Sequence, residues 1–180
     1  MLRKLIFTIV ILAVISFGLY WAAVQAVKPD QDLDLKYKEV SVVEKILDMV
    51  KNRKLEVQLT EQDLNNLVKK QLSEHADLPN NVTITGAQFK LNGNRVEADV
   101  NLLWNHKVAA AAKLFFLMEW KNPDLVITHL STQIKQMEVP QEWFHLNPLR
   151  IQMAQNMPQM IGIKDIAFDP NAIRILLTLR

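Results

Sequence analysis

Hydrophobic and polar positions divide this chain into one uninterrupted apolar run and a longer part in which the two alternate. The run LIFTIVILAVISFGLYWAAVQAV, Leu5 to Val27, contains no charge and is bracketed by Lys4 and Lys28. As a helix rising ~1.5 Å per residue it reaches roughly 35 Å, more than a hydrocarbon core of ~30 Å, so the pattern predicts a transmembrane anchor. After it, KPDQDLDLK is polar and holds one proline, which predicts a short stalk over 28–36. From Tyr37 to Asn52, Val40, Val43, Leu47 and Val50 recur at intervals of three and four, the period of an amphipathic helix. Leu55, Val57 and Leu59 then alternate with polar neighbours as in a half-buried strand.

Thr60 is placed to cap the next helix, with Glu61 and Asp63 in its first turn and Asp63 at the capping-box position. Leu64, Leu67, Val68 and Leu72 form its apolar stripe, and Gln62, Asn66, Lys69 and Lys70 a face expected to be solvated. Beyond the breaker Leu78-Pro79-Asn80-Asn81, the run Val82 to Leu91 is rich in β-branched residues, and Gly86 sits where its alternation shifts, as a bulge would produce. Asn92-Gly93-Asn94 is a hairpin turn by composition. The return strand places Val96, Ala98, Val100, Leu102 and Trp104 on one face, and Glu97, Asp99, Asn101 and Asn105 on the other.

VAAAAKLFFLMEW, Val108 to Trp120, has alanines that favour helix and a period of two that favours strand. Its apolar alternate positions, Val108, Ala110, Ala112, Leu114, Phe116, Met118 and Trp120, together with the turn Asn122-Pro123-Asp124 and the β-like run Leu125 to Met137, decide for strand. From Glu138 the prolines Pro140, Pro148 and Pro158 delimit short helical stretches, with Trp143, Phe144, Leu149 and Met153 as the buried side. Ile163 to Phe168, the turn Asp169-Pro170-Asn171 and Ile173 to Leu179 close the chain as a hairpin.

Charge orients this plan. Arg3 and Lys4 account for the formal excess of +2, and the remaining 19 basic and 19 acidic residues cancel. The positive-inside rule then keeps the short amino-terminal tip cytoplasmic, with Tyr20 and Trp21 at the far interface and the rest outside the cytoplasm. A cleaved signal peptide is the competing reading, because Val24-Gln25-Ala26 offers small residues to a peptidase. An apolar core of about 20 residues, where signal peptides have about 7–15, favours the retained anchor. The expected organisation is α+β: residues 1–27 are the cytoplasmic tip and transmembrane helix, 28–36 the stalk, and 37–180 one extracytoplasmic domain with a long, curved, mostly antiparallel sheet packed on a few helices.

Little of the sequence speaks for catalysis. Ser41, Ser73 and Ser131 lie in no nucleophile motif, and the absence of cysteine excludes thiolate zinc sites and a thiol-linked lipid anchor. His75, His106, His129 and His145 lack metal-ligand spacing. Glu97 and Asp99 share a strand face, but one that reads as wet, and Glu119 is expected to pair with Lys113. A formally neutral outer domain also argues against nucleic acid, since Lys51, Arg53, Lys54, Lys69 and Lys70 read as solvated helix positions. No catalytic residue, metal or cofactor is therefore expected.

The order and spacing of several stretches carry a resemblance: the apolar run, LTEQDLNNLVKKQL with Asn65 after Leu64, the central strands, MEVPQEW, and PQMIGIKDIAFDPNAIRILLTL. Together they resemble the YpmS-like membrane-anchored proteins of Gram-positive bacteria, a family without an assigned activity. The resemblance covers most of the chain. It implies strand over helix for Val108 to Trp120, and a shape similar to tubular lipid-binding proteins, whose long curved sheet wraps a helix and leaves an apolar groove. It carries over no catalytic residue, and a tether would limit how far such a protein shuttles a lipid.

Long apolar strands with few helices to cover them lead to the functional expectation. Val100, Leu102, Trp104, Ala110, Ala112, Leu114, Phe116, Met118 and Trp120 are the candidate lining of a groove that holds a lipid or lipid-linked envelope component. Small alanines would leave room for an acyl chain, and Trp104, Phe116, Trp120 and Trp143 could rim it. The alternative is a structural or scaffold protein, fully packed, that binds another cell-envelope protein.

Overall fold

The computed structural model describes residues 2–41, 44–45, 55–78, 81–140, 146–153 and 161–179. Helix α1 (Leu2–Val27) is followed by β1 (Glu56–Thr60) and α2 (Glu61–Glu74). Eight further strands come next: β2 (Asp77–Leu78), β3 (Val82–Asn92), β4 (Arg95–Trp104), β5 (Val108–Lys121), β6 (Asp124–Ile134), β7 (Met137–Val139), β8 (Leu149–Gln152) and β9 (Ile161–Asp169). The last is β10 (Ala172–Leu179).

They form two antiparallel sheets. The larger has the order β2-β3-β4-β5-β6-β7, with β8 also on β6, and the smaller the order β1-β10-β9. Consecutive hairpins explain the larger sheet, since each turn returns the chain beside the strand it has just left. Gly93 takes φ 62° in the β3–β4 turn, a conformation that glycine adopts without Cβ strain. The smaller sheet needs one long-range pairing, Glu56 to Thr60 against Ala172 to Leu176.

The core lies where the two sheets and α2 meet. Ile84, Ala87, Phe89, Leu91, Val96, Ala98, Val100 and Met118 come from the larger sheet, and Val57, Ile173, Ile175 and Leu177 from the smaller. Leu64, Val68 and Leu72 of α2 pack against them, as their spacing predicts. The helix starts where the sequence places it. The Thr60 hydroxyl accepts the Asp63 N–H at 3.2 Å, and the Asp63 carboxylate accepts the Thr60 N–H at 2.9 Å. Lys45 Nζ adds a hydrogen bond to the same carboxylate at 2.6 Å. Burial works against the Asp63 charge, but the bonds from Lys45 and Thr60 outweigh it and hold the carboxyl below its ordinary value of 3.8.

A carboxyl depressed in the folded state stabilises above its unfolded pKa, and that contribution is lost as pH falls through the folded value. Thr60→Ala is expected to cost about 1 kcal/mol near neutral pH, read as a lower thermal midpoint. The deficit should shrink on acidification below 3.8, where protonation of Asp63 weakens the same cap in the parent chain. A deficit constant down to the acid transition would contradict this.

Three expectations require correction. Helix α1 forms, but among the described residues no helix is long and apolar enough to cross a membrane. The described residues therefore form a mostly antiparallel sheet structure with helices α1 and α2, and none of their helices is the predicted transmembrane element. Residues 28–36 are no free stalk. Ala87 N–H donates to the Asp34 carbonyl at 3.3 Å, Asn101 Nδ2 to the Gln31 carbonyl at 2.7 Å, and Leu35 packs on the core. Leu149 to Gln152, expected in a helical stretch, is strand β8, because β6 offers Asp124 to Ile127 for pairing. The helix expected over Tyr37 to Asn52 falls largely outside the described residues, of which 44–45 are helical, and Trp143 and Phe144 also lie outside.

Candidate functional site

The candidate lining is brought onto one face of the larger sheet by register. Val100 stands opposite Ala112, Leu102 opposite Ala110, and Trp104 opposite Val108. Next to them, Phe116 pairs with His129 and Met118 with Ile127 across β5 and β6. Strand pairing thus assembles all nine residues, but their environments differ. Val100 at 8% exposure and Met118 at 2% are core. Leu102, Leu114, Phe116 and Trp120 are half-buried against that core, Ala110 and Ala112 are half-buried, and Trp104 is 50% exposed at the strand end. The Phe116 and His129 rings meet at 5.6 Å, tilted by 58°. His129 Nε2 lies 2.8 Å from the hydroxyl of buried Thr132.

A half-open cleft lies on the opposite face. It has a volume of about 250 Å³ and is framed by Asp30, Gln31 and Leu33 above, with Lys90, Asp99, Asn101, Ala111, Lys113 and Lys135 among the residues below and beside it. Alternation puts Asn101 on this outward face, and Gln31 crosses over it, so an amide expected to be wet is only 6% exposed. Lys113 does not serve Glu119. Six residues separate the two along β5, about 20 Å at strand rise, whereas Asp99 stands directly across from Lys113 on β4. Lys113 Nζ therefore meets Asp99 at 2.9 Å and Glu97 at 3.7 Å, and Glu119 takes Lys121 at 2.9 Å. The Asp99 hydrogen bond raises the Lys113 pKa above 10.5, against some desolvation.

Beyond its short pairing with β2, the edge of β3 at Phe89 and Leu91 is closed by side chains rather than by a strand. Phe89 N–H donates to Asn65 Oδ1 at 2.8 Å, Asn65 Nδ2 donates to the Phe89 carbonyl at 2.5 Å, and Leu91 N–H donates to Glu61 Oε2 at 2.8 Å. Such an edge left bare would invite pairing with another chain. Glu61 and Asn65 recur at a helical interval of four beside the stripe of Leu64 and Val68, which is the sequence signal for this role. The face expected to be plain solvated surface is also engaged. Asn66 accepts the Lys38 N–H at 3.0 Å, Lys69 meets Asp34 at 3.4 Å, and Lys70 meets Glu39 at 3.1 Å.

Among the described residues, no group of three or more His, Asp or Glu is placed to hold a metal ion. No family model matches the chain, and no curated protein or solved structure matches it.

Proposed function

We propose that this protein is a binding module that takes the acyl chain of a lipid against the inward face of its larger sheet. One observation carries the reading. Strand β5 lies in the middle of that sheet, between β4 and β6, yet Ala110, Ala112, Leu114, Phe116 and Trp120 on its inward side are only partly buried. Where two layers cover each other fully, inward residues of a central strand are the best buried. Apolar surface left open in that position favours an apolar occupant. No charged side chain stands among these five, and the alanines leave width for a chain of methylenes. The resemblance to lipid-binding shapes points the same way, and the reading needs no membrane-crossing helix.

The scaffold alternative draws support from α1, on which Leu12, Phe17, Leu19 and Trp21 are 58%, 71%, 67% and 61% exposed. So much apolar surface on one helix suits a partner protein that covers it. Mass spectrometry of lipid extracted from the purified full chain and from Ala110→Trp separates the two. The parent should carry lipid, and the variant should lose at least ten-fold of it while keeping its thermal midpoint. A parent chain free of lipid, with a variant destabilised by the ~1–3 kcal/mol of an overpacked core, would overturn the proposal.

A further inference from the structure

We propose that the cleft beneath residues 30–33 binds a phosphate-bearing ligand. Three lysines from three parts of the larger sheet meet there: Lys90 on β3, Lys113 on β5 and Lys135 in the β6–β7 turn. Two carboxylates, Asp30 and Asp99, line the cleft with them, so lysines outnumber carboxylates in the lining itself, and a third carboxylate balances them only from outside it. Glu97 touches Lys113 from beside the cleft at 3.7 Å. Asp99 is shared, 2.9 Å from Lys113 and 4.0 Å from Lys90, so neither ammonium has a carboxylate to itself within the cleft.

Lys135 is the decisive residue. Its backbone holds φ 57°, the left-handed region that normally selects glycine or asparagine in a tight turn. A lysine kept there at some conformational cost presents an ammonium whose side chain is only 27% exposed. Its partner is Asp30, whose side chain is 80% exposed. The ammonium in the β6–β7 turn is thus the better covered member of the pair, and the exposed Asp30 carboxylate that meets it holds the place an oxyanion from outside would take. A phosphate monoester brings three acceptor oxygens and up to two charges, and so can satisfy two lysines where Asp30 satisfies one. The volume of about 250 Å³ accommodates the group and the first atoms it is attached to. Val100 and Ala112 also border the cleft, but alternation turns their side chains to the apolar face, so the charged groups argued here do not rest on the acyl-chain reading.

The test is a ³¹P NMR titration of the full chain with inorganic phosphate at constant ionic strength set with chloride. In parallel, co-sedimentation is measured with phosphatidylcholine vesicles with and without phosphatidic acid. Saturable binding is expected in at least one arm; response to vesicles alone identifies a lipid headgroup, and response to both a free phosphate site. Lys135→Gly keeps the turn conformation without the ammonium and should weaken binding at least five-fold, as should Lys113→Gln. Asp30→Asn should strengthen binding about three-fold. Absence of saturable binding in both arms overturns the proposal. So does parental affinity in Lys135→Gly, or an Asp30→Asn variant that binds no better than the parent.

Discussion

Replacing Gly86 by alanine is expected to unseat residues 30–36 from the sheet and to cost about 3 kcal/mol, the upper range for forcing an extra methyl into a packed site. A Cβ on Gly86 would lie 2.0 Å from the Leu33 carbonyl oxygen and 2.2 Å from its carbon. Both contacts are with backbone, so no side-chain rotation relieves them. The segment itself must move, and it is tied down at Ala87 through Asp34 and at Asn101 through Gln31. Displacement strips a partner from each, and buried Asn101 loses the carbonyl that its amide meets. Hydrogen exchange at the Ala87 amide should accelerate and the thermal midpoint should fall. An unchanged midpoint with a protected Ala87 amide would show that the segment does not sit on the sheet in solution.

Met118→Ala is expected to destabilise by about 2–5 kcal/mol, the range for truncating a large buried side chain. Met118 is 2% exposed and lies within the core cluster, although its place in the alternation of β5 makes it equivalent to Phe116 and Trp120. A residue that lined an open groove would cost well under 1 kcal/mol and would change ligand retention instead. Urea unfolding of Met118→Ala beside Phe116→Ala distinguishes these roles, with the larger loss expected at Met118. Equal, small losses would place Met118 on an open surface.

The candidate site was legible in part. Period-two spacing put Val108 to Trp120 on a strand against the pull of its alanines, because four consecutive alanines constrain nothing whereas alternating large residues must share a face. Spacing could not say which positions on that face are covered. Val100 and Met118 belong to the core cluster that residues of the smaller sheet complete, while Ala110 and Phe116 are only partly buried, and the strands of that smaller sheet are far away in sequence. The cleft on the outward face was not legible at all. Asp30 and Lys135 lie about a hundred residues apart, and only the hairpin succession of β3 to β7 and the passage of residues 30–33 across it bring them together.

The sequence by itself determined the local elements: the capping box of Thr60 and Asp63, the bulge and turn at Gly86 and Gly93, and the alternation of β4 and β5. These follow from interactions within a few residues, namely backbone sterics, cap hydrogen bonds and the side-chain period. Tertiary structure alone decided that β1 pairs with β10, that Gly86 is glycine because Leu33 presses on it, and that Asn65 closes the edge of β3. Each depends on two segments meeting across a long loop, and composition and period specify which face is apolar but not what lies against it.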